Sequence, residues 1–372
     1  MGMSLKSSFI QHLIKKYPDI SAEVFDALVA EQLISPFQVT LSPEVLKNIQ
    51  HQITQYWSLR DWGVNNLAEK YAAFDLRKPK NYSACMSYDF HLNADNQLEL
   101  IEINTNAAFL ALGLELYDFY KIKNAVPFGE KDLLDMFTNE LHLCGYASTE
   151  NIGIMDSKPA EQRLYLEFLI YQQMFKRHGI AATIMDVADV TASPQFLYNR
   201  FTDFYLQDDT SKNLKSLFNN GDINLSPHPW DYFLLADKQR LIDWNLQSDI
   251  EKPSSLLPVH DLAFANKDEI WKDRKNLFFK PKNSFGSKQA YRGASISKST
   301  FETVFADNFI AQQMSHPSEI EMAYDGKPTK YKFDLRCYAY QDKLQMIIAR
   351  LYQGQTTNLR TAGGGFACVI IG

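Results

Sequence analysis
A chain of 372 residues is too long for one ordinary hydrophobic core and predicts two or three subdomains. Hydrophobic residues make up 45% and aromatics 13%, which excludes a disordered chain, and the net charge of −6 argues against a broad nucleic-acid surface while leaving room for a local basic groove. None of Cys85, Cys144, Cys337 and Cys368 stands in a Cys-x-x-Cys pair, so they read as reduced thiols and not as a zinc or redox site.

At the N-terminus Lys6, Lys15 and Lys16 interrupt the apolar stretch Phe9–Ile14, which does not read as a signal peptide. No apolar run approaches the roughly 20 residues that span a bilayer. A cytoplasmic protein with no membrane partner is expected. Residues 4–74 read as helical: Phe9-Ile10-Leu13-Ile14 and Val45-Ile49-Ile53-Trp57 recur at helical spacing, and Ser42-Pro43 makes a good helix start. Residues 84–104 change character. Met86, Tyr88 and Phe90 alternate, Ala94-Asp95-Asn96-Gln97 breaks the run, and Leu98, Leu100, Ile101 and Ile103 follow, which predicts a β-hairpin. Over 151–235, Ile152–Asp156 reads as a buried strand, Glu161–His178 as an amphipathic helix closed by Gly179, and Ile180–Val187 as the next strand. Strand–helix–strand at this length predicts a parallel pair. Residues 250–275, with Pro253-Ser254-Ser255 and many charges, read as a bridge between lobes. The final third, 277–372, is strand-rich.

Several residues point to chemistry. Glu102 and Asn104 are two apart on a predicted strand and share a face, and the hairpin turn brings Asp89 near them. Two carboxylates and an amide oxygen form a hard-oxygen set suited to Mg²⁺, although an ordinary solvent-facing strand gives the same pattern. Leu277–Lys282 is an apolar strand carrying Lys280, and an interior ammonium needs a partner. The following Asn283-Ser284-Phe285-Gly286-Ser287-Lys288 holds small residues that let backbone N–H groups approach phosphate oxygens. Lys238 opens a predicted helix upstream, and Asp334 and Arg336 share a strand face, with Arg350 closing the next strand. Asn358-Leu359-Arg360 precedes Gly363-Gly364-Gly365, which reads either as a phosphate loop or as a strand bulge. Arg200, after a strand-like run, is a candidate for a substrate carboxylate, with a helix-surface charge as the alternative. His91, His228 and His316 lie near motifs but read as structural or surface residues.

Taken in order, Lys238, Lys280, the Gly286 loop, Ile310-Ala311-Gln312-Gln313, Asp334-x-Arg336, Arg350 and Asn358 with the glycines resemble the ATP-grasp superfamily. Asp89 through Glu102-Ile103-Asn104 resembles that family's closing metal element, placed first as in eukaryotic glutathione synthetase and glutathionylspermidine synthetase, so the order looks circularly permuted. The resemblance implies a mixed α+β and α/β fold in which two α+β lobes clamp ATP. It divides the chain into a helical N-terminal region (1–75), a permuted metal hairpin (76–125), a Rossmann-like substrate subdomain (150–235) and the nucleotide-binding lobes (236–372). It implies an ADP-forming carboxylate–amine ligase using ATP and Mg²⁺, working through an acyl phosphate on a small-molecule or peptide carboxylate and an amine. A kinase-type ATP-grasp member and a non-catalytic ATP-binding regulator are the alternatives.

Carried over by residue, Asp89, Glu102 and Asn104 hold Mg²⁺. Lys238, Lys280 and the loop Ser284, Gly286, Ser287 and Lys288 bind phosphates. Gln312, Gln313 and Met314 form the adenine hinge, and Glu319 or Glu321 takes the ribose. Lys280, Arg336 and Arg350 act in catalysis, and Arg200, Asn358, Arg360 and Gly364 meet substrate. Many members carry Arg two residues before the aspartate, where this chain has Ser87, and the loop has one glycine where others have several. Residues 1–40 bear no motif and are open to a homodimer contact or a cover over the site.

Overall fold
The computed structural model describes residues 3–147, 151–282, 290–354, 358 and 360–372. Its fold is a mixed α+β arrangement whose strands, numbered in chain order, fall into three sheets. The large sheet draws on both ends of the chain: β1 (Ile34–Leu41), β2 (Met86–Leu92), β3 (Leu98–Asn104), β12 (Glu319–Tyr324), β13 (Lys327–Tyr340), β14 (Lys343–Tyr352) and β15 (Gly365–Ile371). Their order is β1-β15-β14-β13-β2-β3, with β12 on the first half of β13. The predicted hairpin thus docks on a strand some 250 residues later, with Leu335 opposite Phe90 and Arg336 opposite Asp89.

One correction concerns the helical reading of residues 4–74. Ile34–Leu41 is a strand, parallel to β15. Pro36 disfavours a helix interior, and Val39 and Leu41 alternate with exposed Gln38 and Thr40. The partner that makes it a strand lies more than 300 residues away, so no local signal marks it.

Two helices cover the large sheet. Pro43–Asn66 starts where Ser42 accepts from the Val45 N–H and Pro43 occupies the first turn. Its buried stripe Val45, Ile49, Ile53 and Tyr56 shares one core with Tyr88, Phe90, Leu335 and Ile347. Leu110–Tyr120 is buried from Leu110 to Tyr117 and packs on the opposite face with Tyr338, Met346, Ile348 and Cys368. A Cβ at Gly113 would run into the Met346 side chain, so this glycine permits the close approach. That helix covers only part of its face. Asp89, Arg336 and Arg350 stand further along the same face, because strand side chains alternate.

The second sheet is parallel, as the strand–helix–strand pattern predicts: β4 (Ile152–Asp156), β5 (Ala182–Asp186), β6 (Phe196–Asn199) and β7 (Asn224–Ser226), in the order β5-β4-β6-β7. The third sheet is small and antiparallel, β10-β9-β11-β8, from β8 (Val259–Asp261), β9 (Leu277–Pro281), β10 (Tyr291–Arg292) and β11 (Phe309–Gln313). Phe279, Phe309 and Ala311 bury one face against Ile270, Phe301 and Val304 of the helices Lys267–Asp273 and Lys298–Ala306. The alternate residues Lys280, Lys282, Ile310 and Gln312 face the other way. Segment 250–275, read as a bridge, therefore contributes an edge strand and a covering helix to this sheet. A three-residue strand is too short to show a period.

Candidate functional site
The large sheet presents a charged row in place of an apolar one. Asp89 is fully buried. Its Oδ1 accepts from Ser87 Oγ at 3.0 Å and Arg336 Nε at 3.1 Å, and its Oδ2 accepts from Arg336 Nη2 and Arg350 Nη2, both at 2.8 Å. Arg350 Nε donates to Asp334 Oδ1 at 2.5 Å. Burial pushes the Asp89 carboxyl upward, but the two guanidinium groups outweigh burial and hold it down at about 2. Burial likewise opposes the charge on Arg336, and Asp89 more than offsets it, leaving the guanidinium firmly protonated.

Glu102 stands opposite Asp89 and Asn104 opposite Ser87 on the adjoining strand. The expected grouping of Asp89, Glu102 and Asn104 is present: Asn104 Nδ2 donates to Asp89 Oδ2 and to Glu102 Oε1, both at 3.4 Å. This fit to a hard cation is uneven. Glu102 and the Asn104 carbonyl oxygen are half-buried oxygen donors of the right chemistry. Asp89 is committed to two arginines and would have to release a guanidinium before meeting a metal.

A β-bulge explains the shape of this strand. The register shifts between Asp89 and Phe90, leaving Ile101 as the extra residue of β3. Ile101 is therefore half-buried while Leu100 and Ile103 are buried. The bulge also frees a carbonyl. Lys280 Nζ, from β9, donates to the Ile101 carbonyl at 2.8 Å and to Gln312 Oε1 at 2.8 Å. Gln312, buried on β11, donates through Nε2 to the Leu100 carbonyl at 3.1 Å. Burial lowers the Lys280 pKa to about 8; the charge of Glu102 pulls it back up, and that of Lys238 pushes it further down. Lys238, also buried, stands just before the helix Gln239–Leu246, after a π-helical turn, Tyr232–Ala236. Lys282, the other alternate lysine, is taken by Asp261 at 2.9 Å.

Beside these groups lies a cavity of about 230 Å³ lined by Arg292, Met314, His316, Pro317, Glu319 and Lys332. Arg292 Nε is buried and meets no hydrogen-bond acceptor among the described residues. Of the residues expected to read a nucleotide, Met314 and Glu319 line this cavity. The Gln313 and Met314 N–H groups already donate to the Pro258 carbonyl at 2.8 Å and the Asn276 carbonyl at 2.7 Å. Glu321 is exposed. His91 ties the large sheet to the loop after β11 by bonding Ser315 Oγ at 2.8 Å, and burial, aided by Lys280 and Arg350, lowers its pKa to about 3, so it stays neutral. Ser284, Gly286, Ser287 and Lys288 lie outside the described residues.

The substrate candidates separate. Arg200 follows β6 at the C-terminal edge of the parallel sheet, not on a helix surface, and donates to the Asn106 carbonyl and to the Ala107 carbonyl at 2.9 Å. It therefore sits against the loop just after Asn104. Its Nε and Thr105 Oγ1 are buried without a hydrogen-bond partner among the described residues. Asn358 folds back on its own loop, donating to the Gln353 carbonyl and accepting from the Arg360 N–H and Thr361 Oγ1, while Arg360 is exposed. The Gly364 N–H donates to the Thr361 carbonyl, and Gly363 and Gly365 adopt positive φ, so the glycines build the bend entering β15. Sequence reasoning missed Arg292, Lys332 and the side-chain role of Gln312. Gln312 gains its meaning from the Leu100 carbonyl, which belongs to another sheet.

No family model matches the chain, and no curated protein does. Among solved structures, "Putative gamma-glutamylcysteine synthetase" from Methylobacillus flagellatus KT matches over 88% of this chain and 88% of its own, at 9% identity and a TM-score of 0.43. At that level the likeness carries nothing further for this chain. No helix among the described residues is long and apolar enough to cross a membrane.

Proposed function
We propose that this chain is an ATP-grasp enzyme, of permuted order, that uses Mg·ATP to activate a carboxylate for attack by an amine. One observation carries the reading. Lys280 of the small sheet bonds the bulge carbonyl of Ile101, the residue immediately before Glu102, so a buried lysine and a candidate metal carboxylate meet across two sheets. Arg336 and Arg350 share the large-sheet face with Glu102, and Asp89 stands between them and it. A cation-rich cleft of this kind suits a polyphosphate.

In this reading the base and ribose enter the cavity at Met314 and Glu319, and Lys280 and Lys238 neutralise phosphate oxygens. At neutral pH most of the Lys280 population is charged, because its lowered pKa of about 8 still lies above 7. Glu102 and Asn104 hold Mg²⁺, which offsets phosphate charge when bound. An oxygen of the acid substrate attacks the γ-phosphorus, the bond to the β-phosphate oxygen breaks and ADP leaves. The amine then attacks the acyl carbon, and phosphate departs with the bonding pair and takes up the proton that the amine loses. Arg336 and Arg350 stabilise the oxyanions of both steps, with Asp89 and Asp334 fixing their planes. A neutral amine is already nucleophilic, so no general base is assigned. The acid occupies the crevice at Arg200 and the loop from Thr105 to Ala107, outside the C-terminal ends of β4 and β6.

The test is ADP release with panels of acids and amines. Lys280→Ala and Glu102→Ala are expected to abolish it in proteins that remain folded. Full activity in both would overturn the site.

A further inference from the structure
Lys280 is held by a residue that has no reason of its own to be polar. Gln312 is 2% exposed and lies on the inner face of β11. Its neighbour on that face, Ile310, enters the main hydrophobic core. Burying an amide there costs free energy unless both its ends are bonded. Both are: Nε2 donates to the Leu100 carbonyl at 3.1 Å, and Oε1 accepts from Lys280 Nζ at 2.8 Å. The partners fix the orientation of the amide. A carbonyl only accepts and an ammonium only donates, so a flipped amide would place two donors face to face and two acceptors face to face. Leu100 is itself pinned, its N–H donating to the Ser255 carbonyl at 2.8 Å. A chain of bonds therefore runs from Ser255 through Leu100 and Gln312 to the ammonium, and the bulge carbonyl of Ile101 closes it from the other side.

We infer that Gln312 is a positioning residue for Lys280, its side-chain amide aiming the ammonium at the phosphate site. The inference rests on the nucleotide reading proposed above. It gives Gln312 a side-chain task distinct from any backbone contact at the hinge. Gln312 touches no nucleotide atom in this account and acts through Lys280 alone. Lysine has a flexible four-carbon stem and three equivalent donors, so the site must supply the direction that the side chain lacks.

A double-mutant cycle on Mg·ATP affinity, measured by calorimetry with Lys280→Met, Gln312→Met and the double variant, tests this. Gln312→Met keeps the length of the side chain and removes the acceptor. It is expected to weaken Mg·ATP binding by about tenfold, as for loss of a hydrogen bond to a charged group, and to raise the KM for ATP while leaving the KM for the acid unchanged. In the Lys280→Met background the same substitution is expected to cost no further affinity, although its effect on Tm persists in both backgrounds. Gln312→Ala completes the same cycle should the methionine variant fail to fold. An equal loss of affinity in both backgrounds would mean that Gln312 only supports the fold and would overturn the inference while sparing the nucleotide site. A wild-type protein that binds no Mg·ATP would overturn the functional reading, and the inference with it.

Discussion

Asp89→Asn is the perturbation whose magnitude the geometry constrains best. The carboxylate has no exposed surface and takes two bonds from Arg336 and one from Arg350. An asparagine of the same shape keeps one oxygen, turns an NH₂ group toward a guanidinium, and leaves Arg336 without its direct anionic partner. Breaking one side of a buried ion pair costs about 3–5 kcal/mol. Over 372 residues, an unfolding entropy of ~2.1 cal/mol/K per residue gives ~0.8 kcal/mol/K, so the Tm should fall by about 4–6 °C. Calorimetric melts in EDTA would read this without any metal contribution. The effect should depend on pH with a definite sign. The folded carboxyl is held at about 2 against an ordinary 3.8, so its stabilisation is fully present above about pH 4. It is lost as the pH falls through 2, and the wild type and variant should converge there. Pairing Asp89→Leu with Arg336→Met, which removes both charges, should recover much of the Tm. A drop below 1 °C for Asp89→Asn at pH 7 would refute the view that this cluster is desolvated and tightly paired.

Glu140 is buried and accepts from Asn81 Nδ2, the Tyr82 N–H and Tyr340 Oη, yet burial raises its pKa to about 7. Because the folded state binds the proton more tightly, stability should decline between about pH 4.5 and 7, and Glu140→Gln should flatten that slope in chemical denaturation. Gly365→Ala places a Cβ 2.6 Å from the Gln32 carbonyl at a φ of +108°, and should destabilise by more than ~1 kcal/mol in the same assay. Arg200→Ala should raise the KM for the acid by about tenfold or more, the worth of a charge-assisted bond, with the KM for ATP unmoved; an unaltered KM for every acid would remove Arg200 from the substrate crevice.

Much of the site was legible because strand alternation is a strong local code. Asp89, Glu102, Asn104 and Asp334-x-Arg336 lie on one sheet face, as their spacing predicts. The spacing could not show that Asp89 would spend both oxygens on arginines from strands 250 residues away. Lys280 was legible as an interior lysine, but the partner expected was an anion, and the contacts found are a carbonyl and an amide. The carbonyl is offered by a bulge at Ile101, which composition does not announce. The strand Ile34–Leu41 was hidden because the strand that hydrogen-bonds it, β15, lies more than 300 residues away. The triple glycine and Asn358 illustrate the converse: residues that suggest ligand contact in sequence are spent here on shaping the chain before β15.

The central claim is that Mg·ATP binds between the small sheet and the β2–β3 hairpin. A thermal-shift titration with Mg·ATP, run on wild type, Lys280→Ala and Glu102→Ala, tests it most directly. A nucleotide at a hundredfold over its dissociation constant stabilises by about 2.7 kcal/mol, or about 3 °C on the entropy above. The account predicts that shift in wild type and its loss in both variants. A wild-type Tm unmoved by millimolar Mg·ATP, or an equal shift in all three proteins, would contradict it.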